Sequence, residues 1–192
     1  MRASRSSHAR SGTLLTLALV VLLLGGPRGE DGAHRRAHPL GPLAELAADL
    51  EWIRFQRAHL RGDEPAALLH AERALAWNPR EARGWRILSA HVGLFLASVE
   101  REPDPAERAR LLAWAVRLTQ EGERRAGDPG SLAFHRGLLL LTHADVDPEI
   151  AWPGGGPALL AAAVASFERA ASFAVPGAAD LAEGVRHRIE SP

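Results

Sequence analysis

The sequence predicts an all-α protein, an array of helices separated by short breaks, and three observations carry that expectation. Alanine, leucine, arginine and glutamate dominate from Leu43 onward, and all four favour helix. Aromatic content is 5% with no tyrosine, and no segment alternates apolar and polar residues as a half-buried strand does. Breakers fall between the periodic segments: Gly62-Asp63, Asn78-Pro79, Pro103-Asp104-Pro105, Asp128-Pro129-Gly130, Pro153 to Pro157 and Pro176-Gly177.

The N-terminus comes first. "MRASRSSHAR" holds Arg2, Arg5 and Arg10 without an acid, and an uninterrupted apolar run, Thr13 to Leu24, follows before Gly25, Gly26 and Pro27. A basic start, a short apolar stretch and small residues after it read as a secretory signal over residues 1–26. The run is shorter than the about 20 apolar residues of a membrane span. A second outcome is retention as an uncleaved anchor, because large Leu24 and Pro27 suit a cleavage site poorly. Residues 27–42 are rich in proline and glycine and read as a linker, which leaves 43–192 as one helical domain.

The domain divides into helices expected near 43–60, 64–77, 81–98, 105–125, 131–142, 157–174 and 178–189. Each amphipathic segment has a stripe that must pack on a neighbour. The second has Ala67, Ala71, Ala74 and Leu75; the third Trp85, Leu88, Ser89, Val92 and Leu96; the fourth Leu111, Ala115, Leu118 and Thr119. The last offers only Leu181, Val185 and Ile189 amid charged residues, the pattern of a helix that caps a stacked array.

The seam between the second and third helices is the most specific motif. In "GDEPAALLHAERALAWNP", Gly62, Asp63, Ala67, Ala74, Leu75, Asn78 and Pro79 stand at the spacings of the second half of a tetratricopeptide repeat. Trp85, Leu88, Ser89 and Val92 resemble the first half of the next, with valine for the usual tyrosine. Upstream, Trp52 and Phe55 supply a first helix, one residue short of the family interval between Trp52 and Gly62. Downstream the fourth helix is too long, and a third pair is split by an insertion at 143–156. The resemblance covers roughly 45–176 and implies a right-handed array of antiparallel helix pairs, about three pairs plus a C-terminal capping helix. It implies packing roles for Trp52, Gly62, Ala67, Ala74, Pro79, Trp85 and Leu88. The alternative is a generic alanine-rich bundle.

Little in the chain points to chemistry. Without cysteine there are no disulfides, thiolate metal ligands or cysteine nucleophiles. The 23 acidic residues balance 23 basic ones, all arginine, so total charge gives no argument for nucleic acid. The histidines lack a tight metal spacing such as H-E-x-x-H. His143, Asp145, Asp147 and Glu149 could ligate a cation, but the string reads as a solvated acidic loop. Ser131 and Ser166 lack a nucleophile context, and "PGGGP" at 153–157 lacks the residues of a phosphate loop. No catalytic residue, metal or cofactor is therefore expected.

The expected function is non-enzymatic: a protein-interaction module of a bacterial cell envelope, binding a protein or peptide segment on the concave face of its array. The bacterial source rests on the arginine and alanine bias. The resemblance makes Arg54, Arg57, Arg83 and Arg86 candidates to face the partner, where arginine suits acidic groups. Ala90 and Ile87 replace polar groups of the family's carboxylate-clamp versions, so that specificity is not carried over. Trp152, in the polar insertion, either contacts a partner or folds back onto a helix. The second reading is an obligate structural subunit of an envelope complex; an enzyme on a helical scaffold is the third.

Overall fold

The computed structural model describes residues 42–190. The expected signal segment at 1–26 lies outside them, as does the expected linker at 27–42 except for Pro42, which opens the first helix. The described residues form an all-α fold of seven helices: α1 (Pro42–Leu60), α2 (Glu64–Trp77), α3 (Ala82–Ala90), α4 (Pro105–Arg125), α5 (Pro129–Val146), α6 (Gly155–Ala171) and α7 (Ala178–Glu190). A π-helical turn, His91–Leu96, continues α3. None of these helices is long and apolar enough to cross a membrane.

The breaks work as the local chemistry requires. Gly62 adopts φ +74°, and the amides of Gly62 and Asp63 return to the carbonyls of His59 and Ala58 at 2.9 and 3.0 Å. That pattern closes α1 with a left-handed residue. Asp63, Asp104 and Asp128 then cap α2, α4 and α5 by accepting from the amides of Ala66, Ala106 and Ser131. A proline follows within the first two positions of each helix, where a missing amide donor costs nothing. At the seam after α2, Trp85 Nε1 donates to the Pro79 carbonyl at 2.8 Å. The residue that stops one helix is thereby tied to the side chain that anchors the next.

Each helix packs on its successor, and α3 packs on α5 as well. One core runs through the array, from Phe55, Ala67, Ala71 and Leu75 through Trp85, Leu88, Val92 and Leu112 to Leu139, Leu159, Phe167 and Val185. Two close approaches set its spacing. A Cβ on Gly122 would lie 2.7 Å from Cγ of Trp85, and one on Gly137 would lie 2.5 Å from the ring of Phe167. Small residues at these positions let the aromatic rings seat directly on helix backbone. Polar ties reinforce the second half: Arg136 of α5 pairs with Glu123 of α4 and donates to Ser166 of α6 at 3.0 Å.

Three expectations need adjustment. The third helix does not run as one α-helix over 81–98, because the hydrogen-bond step widens at His91–Leu96. The buried face of α4 is Arg108, Ala109, Leu112, Ala115, Thr119 and Gly122, so Leu111 and Leu118 flank the stripe and do not centre it. Helix α5 extends to Val146 and α6 begins at Gly155, which shortens the insertion from both sides.

Candidate functional site

Two features stand apart from ordinary packing. The first is a cluster where the α1–α2 turn meets the π-helical turn. His59 sits near the end of α1, Glu64 opens α2, and the tight turn between them brings their side chains together. His91 approaches from the start of the π turn. His91 Nε2 lies 3.0 Å from Glu64 Oε2, and His59 Nδ1 lies 3.5 Å from Glu64 Oε1. Nδ1 of His59 is buried and has no hydrogen-bond partner among the described residues. Arg101 donates to Glu64 Oε1 at 2.8 Å and lies over the Phe95 ring at 4.2 Å.

Aromatic side chains wall this cluster. The Phe55 ring meets His91 edge-on at 5.1 Å, and Phe95 meets His59 edge-on at 4.7 Å and stacks on His91 at 5.2 Å. Burial drives the His91 pKa from 6.5 down to about 4, against the opposing pull of the Glu64 carboxylate. His91 is therefore neutral at pH 7. The widened π turn also leaves the Gly93 carbonyl to accept from His143 Nε2 at 2.6 Å. Such turns occur often at functional sites.

The second feature is the outer face of α1. Ala44, Ala48, Glu51, Phe55 and Ala58 face inward, and Ala44 and Ala48 are each only 1% exposed. Leu43, Leu46, Leu50, Ile53 and Leu60 face outward; Leu43 is 68% and Leu60 84% exposed. With Arg57, these positions recur at alternating steps of three and four, the spacing of a coiled-coil seam. The alanine face lets α1 approach the small residues Ala67, Ala71 and Ala74 of α2, and the leucine face meets none of the other described helices closely enough to be buried.

The arginines singled out in the sequence do not share one surface. Trp52 packs toward α3, where a Cβ on Gly84 would lie 3.0 Å from its ring. At about 100° per residue, Arg54 and Arg57 lie about 140–160° around α1 from Trp52, so they point away from α3. Arg57 falls within the outer leucine stripe, and Arg54 flanks it while pairing with Glu51. On α3, Arg83 is exposed and Arg86 half-buried. Both sit near Glu81, whose pKa is raised by burial against their lowering pull. Trp152 is half-buried and packs against the core.

The acidic string at the end of α5 is only in part the solvated loop expected: Asp145 and Glu149 are exposed, and Asp147 is not. Asp147 is buried and accepts two bonds from Arg108, from Nε at 2.7 Å and from Nη2 at 2.9 Å. Arg108 Nη1 also donates to the carbonyls of Glu102 and Pro103. The Arg108 pKa is raised, chiefly by its bond to Asp147. A guanidinium buried in α4 required a carboxylate, and the insertion supplies it. Asp145 pairs with Arg188 of α7 at 2.5 Å, so the string pins the end of α5 to its neighbours.

Comparison with protein-family models, with curated proteins and with solved structures finds no match for this chain. The His59–Glu64–His91 cluster was not anticipated in the sequence, since its members are separated by unequal intervals. The clue that was available is the Gly62-Asp63 turn, which forces residues on either side of it into proximity. The outer leucine stripe was equally legible as a seam, but nothing in the sequence said which face of α1 turns inward.

Proposed function

We propose that this chain is a non-enzymatic interaction module of a bacterial envelope, a tetratricopeptide-like scaffold that holds a helical segment of a partner protein. The reading rests on one observation, the exposed apolar seam Leu43, Leu46, Leu50, Ile53 and Leu60 on the first helix of the array. Exposed contiguous apolar surface of this kind is a mark of protein contact. A seam with steps of three and four fits an amphipathic helix, because knobs from a second helix fill such holes. Arg54, Arg57 and Arg61 lie exposed along its C-terminal half, so the occupant carries acidic residues there. The partner surface is thus the outer face of α1 in place of a concave arginine patch. Export rests on the basic, then apolar, N-terminus alone.

A photo-crosslinking residue at position 50 or 53 of the full chain, used in cells, tests this. The expected product joins the chain to a different polypeptide, at a peptide that mass spectrometry maps to an acidic amphipathic helix. Crosslinks to a second copy, or to residues 13–24 of the same chain, would replace the partner by those occupants. Crosslinking no stronger than at exposed Arg117 would remove the proposal.

A further inference from the structure

The cluster at the α1–α2 turn serves no role in holding a partner on the outer face of α1, and it has the composition of a metal site. We propose that His59, Glu64 and His91 bind a divalent transition metal of the zinc class, through His59 Nδ1, the Glu64 carboxylate and His91 Nε2. The three donor atoms all lie within 4.8 Å of one another. Donors around a tetrahedral zinc, each about 2.0–2.1 Å from the ion, stand about 3.3 Å apart. The 3.0 and 3.5 Å separations from Glu64 to the two histidines bracket that value.

Three observations besides proximity favour a ligand there. The buried Nδ1 of His59 lacks a hydrogen-bond partner among the described residues, which a metal would supply. Arg101 holds one carboxylate oxygen of Glu64, as outer partners of ligating carboxylates commonly do. Phe55 and Phe95 form the apolar wall that limits water at such centres. The set excludes calcium or magnesium as the preferred ion, since those cations take oxygen donors and this site offers two imidazoles.

Three protein ligands leave at least one position of the ion open. Bound metal would clamp the end of α1, the start of α2 and the π turn together, across the seam between the first helix pair and α3. The inference stands apart from the proposed partner helix, because none of its ligands belongs to the outer stripe of α1.

The test is equilibrium dialysis of the untagged, metal-stripped full chain against Zn²⁺ and Co²⁺ at neutral pH, with the visible spectrum of the Co²⁺ form. One ion per chain and an intense tetrahedral Co²⁺ band are expected. Changing His59→Gln with His91→Gln should abolish both while the far-ultraviolet helical signal persists, and Glu64→Gln should do the same. Arg101→Ala should retain the band and weaken affinity about 10-fold, the effect of losing an outer partner. No bound ion in the unaltered chain would overturn the proposal. So would unchanged binding in the double histidine variant or in Glu64→Gln, either of which would place the ion on other side chains.

Discussion

The two ends of the helical array face solvent in opposite ways. At the C-terminal end, α7 buries Ala178, Ala182 and Val185 and turns Asp180, Glu183, Arg186, His187, Arg188 and Glu190 outward. At the N-terminal end, α1 buries small Ala44, Ala48 and Ala58 and turns leucines outward. A stack of helices needs a polar outer face to terminate it. The C-terminal helix supplies one and the N-terminal helix does not. The difference teaches that the apolar content of a terminal helix does not reveal its inner face. Close packing of alanine on alanine selected the inner face of α1, and the more hydrophobic stripe was left over.

If the C-terminal half is the closed part of the array, the largest stability losses belong there. Phe167 is fully buried and its ring rests on the backbone at Gly137. Phe167→Ala should destabilise the fold by about 3–5 kcal/mol, because the ring fills a space its neighbours cannot close. Urea denaturation at pH 7 measures this. A loss below about 1 kcal/mol, the ordinary cost of a typical substitution, would mean that this end is loosely packed and that the contrast is false.

Acidity gives the next largest effect. His135 is buried beside Arg86, and neither ring nitrogen has a hydrogen-bond partner among the described residues. Burial first, and the Arg86 charge second, lower its pKa from 6.5 to about 4. The unfolded chain therefore binds a proton at a pH where the folded chain does not. Stability from this group is complete above about pH 6.5 and is lost as pH falls toward 4. The loss is about 3 kcal/mol, the free energy that corresponds to lowering the pKa from 6.5 to about 4. His135→Leu should flatten that part of the stability profile relative to the unaltered chain. Parallel profiles for the two proteins between pH 7 and 4 would refute a buried neutral His135.

Much of the fold could be read from local chemistry, and the site could not. Gly62, Asp63, Asp104 and Asp128 announce turns and caps through their own backbone and side-chain preferences, so the breaks at these positions followed from the sequence. The π turn did not, and the group that bonds the Gly93 carbonyl within it, His143, comes from another helix. Asp147 looked like a solvated acid for the same reason. Its partner Arg108 lies on α4, and only the packing of α4 against α5 makes both groups buried. His59, Glu64 and His91 belong to three elements, and the helix spacing alone does not show that the π turn arrives opposite the α1–α2 turn. Trp85 stands between these cases: its spacing from Pro79 was visible, while the bond from its indole to the Pro79 carbonyl was not.

The smallest expected change in stability is also the most direct test of the open end. Leu50 is 47% exposed, and its neighbours on the stripe, Leu46 and Ile53, are exposed as well. Leu50→Ala removes no buried contact of comparable size to Phe167, and alanine is at least as good a helix former. Its effect on unfolding in urea should stay within about 0.5 kcal/mol, the range of surface substitutions. The same change, made together with Ile53→Ala, should sharply reduce crosslinking from a probe at Leu46, because partner contact is lost while the fold is kept. A stability loss near 2 kcal/mol for Leu50→Ala alone would show that α1 is covered within the folded chain. The N-terminal end would then be closed as well, by something other than a polar helix back, and the asymmetry between α1 and α7 would vanish.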